Sequence, residues 1–214
     1  MASSIAYRKP LLRGVSHEVA SAFALAGGVA LVHGAEGMRA SLAAAVYGVA
    51  LTAQFGVSAL YHRPRWGDRA RLVMRRLDHA AIFLLIAGTY TPVCLLLPGQ
   101  GRALLVGVWA AAALGIALSV AWPTAPKALV AALCVALGWA VVPVLPALRL
   151  AIGTAGLALL LAGGAAYTAG AIVYAAGRPD PFPRVFGYHE VFHALVIVAA
   201  ACHYAAVSGV VDAL

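Results

Sequence analysis

Several chemically active side chains fall at the same end of three long apolar runs. His62 ends one run, Asp78 begins the next, and His189 and His193 begin the last. Ionisable residues inside membrane spans are energetically costly, and they mark functional sites. Because a helix rises about 1.5 Å per residue, each group should lie within about two turns of the same membrane face. The sequence therefore predicts one layer of imidazoles and a carboxylate, supplied by three helices.

The spacing of these residues suits a metal ion. His189 and His193 are four residues apart and so share one helix face. With His62 they form the three-ligand set of a catalytic zinc, which leaves the fourth position to water. Ser58 lies one turn before His62, and Asp78 is placed to orient that water or act as its base. Imidazole ligands alone do not distinguish zinc from copper, iron or nickel. Two alternative interpretations of the histidines are a polar contact that holds the helices together and a proton relay.

Residues 189–193 read His-Glu-Val-Phe-His and match the H-E-x-x-H pattern of zinc proteases. In those enzymes the Glu is the general base, but in a membrane Asp78 competes for that role. The alternative for Glu190 is a rim carboxylate paired with a loop arginine. We interpret His33, His79 and His203 as ordinary hydrogen-bonded helix contacts.

The composition requires a bilayer around the chain. Of the 214 residues, 64% are hydrophobic and 10% charged, against about 25% charged in soluble domains. The net charge of +8 lies in short segments between apolar runs, so it indicates membrane topology rather than nucleic-acid binding. Cys94, Cys134 and Cys202 lie inside apolar runs and are expected to pack in the core.

We predict an all-α protein, a single seven-helix transmembrane domain over residues 1–214. A spanning helix needs about 20 apolar residues, and the predicted spans are 18–35, 40–62, 77–97, 102–121, 127–148, 150–176 and 186–210. The boundary between the fifth and sixth spans is marked only by Pro143, Pro146 and Arg149, and a merged or kinked span there would reduce the count to six. Small residues such as Gly27, Gly28 and Gly163 are expected at helix contacts.

The basic residues predict the orientation of the bundle. With the N-terminus in the cytoplasm, 12 of the 15 Lys and Arg residues fall in cytoplasmic segments, as short loops require. The C-terminus is then outside, and the histidine layer lies at the cytoplasmic side of the cell membrane. Met1–Pro10 lacks the pattern of a removable signal peptide, so the first span is expected to direct insertion.

Three blocks of sequence resemble a known family. They are Ser58–Arg63, Arg76–Ala80 followed by Ala87–Pro92, and His189–His193 followed by Cys202–Tyr204. Together they are similar to the haemolysin III branch of the progestin and adipoQ receptor family, which includes the adiponectin receptors. The resemblance implies a zinc ion held by His62, His189 and His193, with Asp78 and Ser58 beside it, and kinship with alkaline ceramidases.

The first span departs from the family pattern. Relatives usually carry an Asn and a Thr-His pair after an acidic residue, whereas here Glu18 is followed by Ser21, Ala24 and Leu25. Any role of that motif is therefore open in this chain.

The leading functional hypothesis is a zinc-dependent hydrolase of lipid amides, with Asp78 as base and Ser58 as an oxyanion or substrate partner. Arg63–Arg76 could hold an anionic head group, although topology already explains its charge. The alternatives are a zinc-stabilised receptor or membrane-homeostasis protein without turnover, and a haemolysin-like protein that perturbs membranes. The sequence predicts a lipid ligand but neither its identity nor the oligomeric state.

Overall fold

The chain folds into long helices joined by short turns. The computed structural model describes residues 9–214, so Arg8 and most of Met1–Pro10 lie outside the described residues. The helices are α1 (Val15–Gly34), α2 (Gly37–His62), α3 (Asp68–Leu96), α4 (Gln100–Ala121), α5 (Lys127–Gly138), α6 (Leu145–Ala176) and α7 (Tyr188–Asp212). A 3-10 helix, Trp139–Val144, joins α5 to α6. The described chain forms no strand beyond one isolated bridge between Phe182 and Phe186.

Six segments of the described chain are long and apolar enough to cross a membrane. Large apolar side chains such as Phe23, Leu114 and Leu150 are more than 70% exposed, which is expected where lipid is the solvent. The prediction of an all-α multi-pass membrane protein is therefore confirmed. The count of seven spans and the side on which each terminus lies stay predictions.

The fifth of these segments runs over 50 residues, from Lys127 to Ala176, and it turns back on itself. Gly153 leaves the helical conformation with φ 69° and ψ 177°. Across this turn, Trp139 Nε1 donates a 3.0 Å hydrogen bond to Thr168 Oγ1, and Lys127 Nζ lies 5.3 Å from the centroid of the Tyr174 ring. The two halves of the segment are therefore antiparallel.

This turn lies later than the predicted break at residues 148–150. Pro146 falls in the first turn of α6, where a missing N–H leaves no helical hydrogen bond unmade. It therefore does not end the helix. Gly153 has a positive φ, a conformation that glycine adopts without the steric cost that a Cβ would bring.

The main core lies between α1, α2 and α7. Backbones approach closely where α1 crosses α2, since a Cβ built on Gly48 would lie 2.8 Å from Gly28 Cα. The two other apolar clusters join α3 to α4 and to the α5–α6 hairpin. The expectation that small residues mediate helix contacts holds at Gly28 and also at Gly163, where an added Cβ would meet the His203 ring.

One end of the bundle, which we call the site end, gathers the segment before α1, the α2–α3 loop, the start of α5 and the loop before α7. Leu11 and Leu12 donate backbone hydrogen bonds to Arg184 O and Val185 O. Lys9 Nζ donates to Arg63 O at 2.9 Å. At the far end, Arg39 donates to Leu95 O. Of the fourteen Lys and Arg residues that the structure describes, eleven lie at the site end, while Arg39, Arg102 and Arg149 lie at the far end.

Candidate metal centre

The three predicted metal ligands meet in one place. His62 on α2 and His189 and His193 on α7 each offer a ring nitrogen, and these nitrogens lie within 4.8 Å of one another. His189 Nε2 is 3.1 Å from His62 Nε2, and the ring centroids of His189 and His193 are 4.6 Å apart. The spacing of four residues on α7 has therefore placed both rings toward α2. This cluster could hold a metal ion.

The cluster is largely shielded from solvent. His193 is 1% exposed and His62 is 8% exposed. His193 Nδ1 is buried and has no hydrogen-bond partner among the described residues. Since most buried polar atoms are paired, this nitrogen is free to donate its lone pair to an ion or to accept a hydrogen bond from water.

Asp78 and Ser58 lie beside the histidines, as predicted. Asp78 Oδ2 is 4.0 Å from His62 Nε2, and the Asp78 side chain is 13% exposed. The Ser58 side chain is buried and lines the same cavity as Asp78. A carboxylate and a hydroxyl therefore border the same space as the three imidazoles.

Glu190 is held by an ion pair and by a helix cap. It pairs with Arg13 and accepts a 2.8 Å hydrogen bond from the backbone N–H of Gly187. This second contact caps the N-terminus of α7. The carboxylate is 2% exposed, so it is buried more deeply than the predicted rim position, and it is absent from the described residues that line the cavity. Its partners favour the structural interpretation.

His17 on α1 is a site residue that the sequence did not reveal. Its ring stacks face to face on the His193 ring, with centroids 3.7 Å apart and planes 6° apart, and it meets Phe55 edge-on at 5.0 Å. It is 1% exposed, and neither of its nitrogens has a partner among the described residues. Only the contact between α1 and α7 identifies it, because its spacing matches no ligand motif.

A cavity of about 770 Å³ opens beside the cluster. The side chains that line it are cationic near the loops and mainly apolar within the bundle. Toward the loops of the site end it is lined by six cationic side chains, those of Lys9, Arg13, Arg65, Arg71, Arg75 and Lys127. Within the bundle it is lined mainly by apolar side chains, among them Leu85, Ile86, Val130, Ala131, Ala171 and Val196. The histidines and Asp78 lie between these two regions.

The three histidines that we interpreted as ordinary helix contacts differ in their surroundings. His203 Nε2 lies 3.0 Å from Leu160 O, in agreement with the prediction. His33 is exposed in the last turn of α1, and His79 lines the cavity beside Asp78. Cys94, Cys134 and Cys202 are free thiols within the bundle.

The fold and the site together define a multi-pass helical membrane protein with a three-histidine cluster at one end of its bundle. The family model of haemolysin-III related proteins matches residues 5–204. The chain therefore belongs to the haemolysin-III related family, and the resemblance seen in the sequence is confirmed.

Individual relatives cover most of the chain. It is 30% identical over 161 residues to a hemolysin-3 homolog of Bacillus subtilis, covering 74% of this chain and 72% of that protein. It is 35% identical over 152 residues to hemolysin-3 of Bacillus cereus, covering 68% of each chain. It is also 36% identical over 156 residues to the heptahelical transmembrane protein ADIPOR2 of Oryza sativa, covering 65% of this chain and 68% of that protein.

Purified protein should contain about one metal ion per chain if the three imidazoles act as ligands. Replacing two of them in the His189→Ala/His193→Ala variant should remove it, because one remaining imidazole binds weakly. Inductively coupled plasma mass spectrometry, after purification without chelators, measures the metal. His33→Ala is the matched control, since it removes an imidazole at the far end. Equal metal content in all three proteins would show that the cluster is not the binding site.

His17 should act by holding the His193 ring rather than by binding metal itself. His17→Ala removes the stacked ring and should weaken metal binding about tenfold, as loss of an outer partner of a ligand does. His17→Phe retains a flat ring and should stay close to wild type. Competition against a chromogenic chelator measures both affinities. If His17→Phe is as weak as His17→Ala, the His17 nitrogens are needed and stacking is not the cause.

Proposed function

We propose that the histidine cluster holds zinc and that the protein hydrolyses lipid amides at the cytoplasmic side of the cell membrane. The observation that carries the proposal is the meeting of three imidazoles and one carboxylate in a cavity with apolar inner walls. Such a cavity accommodates an acyl chain while the polar layer contacts the amide. Membership of the haemolysin-III related family supports a membrane role but assigns no reaction.

The donor set fits zinc. Two imidazole nitrogens bound tetrahedrally at about 2.0–2.1 Å from zinc lie about 3.3 Å apart. The separation of 3.1 Å between His62 Nε2 and His189 Nε2 is close to that value. A ring nitrogen of His193, within 4.8 Å of the ligand nitrogens of His62 and His189, would supply the third donor.

The residues of the chain would divide the chemistry between them. When bound, the zinc would lower the pKa of a water molecule and polarise the scissile carbonyl. Asp78 would take the proton from the attacking water and deliver it to the amine nitrogen as the C–N bond breaks. Ser58 would hold the Asp78 carboxyl in place through a hydrogen bond. The products are a free fatty acid and an amine.

The topology that we propose for this protein has seven membrane spans. The antiparallel contacts across Gly153 support two crossings within Lys127–Ala176. The rice relative is named as heptahelical, which favours the same count. The excess of Lys and Arg at the site end supports a cytoplasmic position for that end.

A non-catalytic receptor or homeostasis protein is the second candidate, and one observation favours it. The three histidines come from two helices, α2 and α7, so a bound metal would join these helices whether or not any reaction followed. In that case the Asp78 carboxylate would be dispensable for function.

Asp78→Asn should abolish turnover without removing the metal. Loss of a general base lowers a rate by about 10²–10⁴ fold, whereas the three imidazoles stay in place. Release of fatty acid from a panel of N-acyl lipids by the detergent-solubilised protein, followed by mass spectrometry, measures the rate. Asp68→Asn is the matched control, since it neutralises an exposed carboxylate at the start of α3. Full activity in Asp78→Asn would reject the assigned base, and a metal-loaded wild type without any turnover would favour the receptor.

The Gly153 turn should lie on the opposite face of the membrane from the two ends of Lys127–Ala176. In a background with Cys94, Cys134 and Cys202 replaced, Arg149→Cys should react with an impermeant maleimide on intact cells. Arg69→Cys and Arg178→Cys should react only after lysis. The same accessibility for Arg149→Cys and Arg178→Cys would contradict two crossings within Lys127–Ala176.

A further inference from the structure

Many of the cationic side chains at the site end line one cavity, and membrane topology alone does not explain this arrangement. Eleven described Lys and Arg residues lie at the site end, and the preference of short cytoplasmic loops for positive charge accounts for their side of the membrane. That preference does not account for their direction. Six of the eleven line one cavity, and Asp78 is the only carboxylate among the described residues that line it with them.

Five of these six cations form no ion pair with a carboxylate within residues 9–214, and three of the five are arginines. Arg65, Arg71 and Arg75 form no ion pair with any carboxylate in the described part of the chain. By contrast, Arg13 pairs with Glu190, and Arg63, which does not line the cavity, pairs with Glu18 at 2.7 Å. The guanidinium groups of Arg65 and Arg71 are therefore available to a ligand.

The positive charges are also close enough to affect one another. The pKa of Lys9 is lowered from its ordinary value of 10.5 by partial burial and by four nearby guanidinium groups, those of Arg63, Arg13, Arg65 and Arg71. Such mutual repulsion is relieved by a bound anion. The region thus has the electrostatic character of an anion site.

The order of the cavity walls matches the order of groups in one kind of lipid. From the loops inward, the walls present cations, then the histidines with Asp78, and then apolar side chains. An N-acyl lipid with an acidic head presents an anion, then an amide, and then a hydrocarbon chain. In this register the amide lies at the histidine layer, while the anion contacts arginine, whose planar fork suits carboxylate and phosphate.

We propose that the cavity selects N-acyl lipids whose head group carries a carboxylate or phosphate over lipids with a neutral head. The inference rests on the proposed function only in treating the bound lipid as the molecule that is cleaved. Arg65 and Arg71 determine the selectivity, because they line the cavity, are exposed and have no ion-pair partner among the described residues.

The test compares two lipids that share an acyl chain and an amide, N-oleoylglycine and N-oleoylethanolamine. Binding to purified, metal-loaded protein in a nonionic detergent should be about tenfold tighter for N-oleoylglycine, since charge-assisted hydrogen bonds exceed neutral ones. In Arg65→Gln/Arg71→Gln the preference should fall to about threefold or less, and it should also fall when salt rises from about 0.05 M to 0.5 M.

Two further variants test where in the protein the preference for N-oleoylglycine arises. Arg102→Gln/Arg149→Gln makes the same change of charge at the far end and should keep the full preference. Ala171→Phe fills the apolar part of the cavity and should weaken the binding of both lipids. Equal affinity for the two lipids, or a preference that survives Arg65→Gln/Arg71→Gln, would overturn the proposal. Unchanged binding of N-oleoylglycine to Ala171→Phe would also overturn it, because the lipid would then lie outside the cavity.

Fatty acid release in the same samples separates this proposal from the hydrolase itself. A preference for N-oleoylglycine without cleavage of either lipid would reject the hydrolase and leave the anion site standing. Cleavage of both lipids with equal affinity would reject the anion site and leave the hydrolase standing.

Discussion

A polar group surrounded by hydrocarbon must find a partner inside the protein, and this constraint shapes the whole bundle. Unpaired groups cost several kcal/mol each in such surroundings. The chain meets the constraint by confining its ionisable side chains almost entirely to the two ends. The histidines of the site end are buried rather than exposed, and there His17 and His62 each pack against the His193 ring.

The Arg13–Glu190 ion pair shows how this arrangement is held. It joins the segment before α1 to the first turn of α7, and the same carboxylate caps that turn through Gly187. The turn also carries His189, so the direction of this ring depends on the capping contact that Glu190 makes with Gly187. The H-E-x-x-H string thus has a physical basis here: its Glu fixes the helix start from which both histidines project.

The sequence predicted which side chains would lie together, but it misplaced one turn of the fold around them. The i, i+4 spacing on α7 and the helix ends at His62 and Asp78 are local features, and local features survive folding. His17 was missed because its contact with His193 spans 176 positions of the chain, which no periodicity encodes. The turn at Gly153 was misplaced for a related reason. A proline early in a helix and a proline that ends one look alike in sequence, and only backbone geometry separates them.

The cavity exists because α5 packs loosely on the rest of the bundle. It contacts α6 more extensively than it contacts α3 or α4, whereas α6 packs along α7. The space beside α5 is walled by small side chains such as Ala131 and Ala171. The side of the bundle formed by α1, α2 and α7 is therefore tightly packed, while the side near α5 leaves room for a ligand.

The distance along the chain between His62 and His189, 127 residues, has a consequence for biosynthesis. At about 5–20 residues per second, a ribosome needs roughly 6–25 s to pass from one of these codons to the other. During that interval the nascent chain holds a single imidazole of the cluster in the membrane. The cluster is complete only after α7 has inserted beside α2, so its closure reports that these two helices have met.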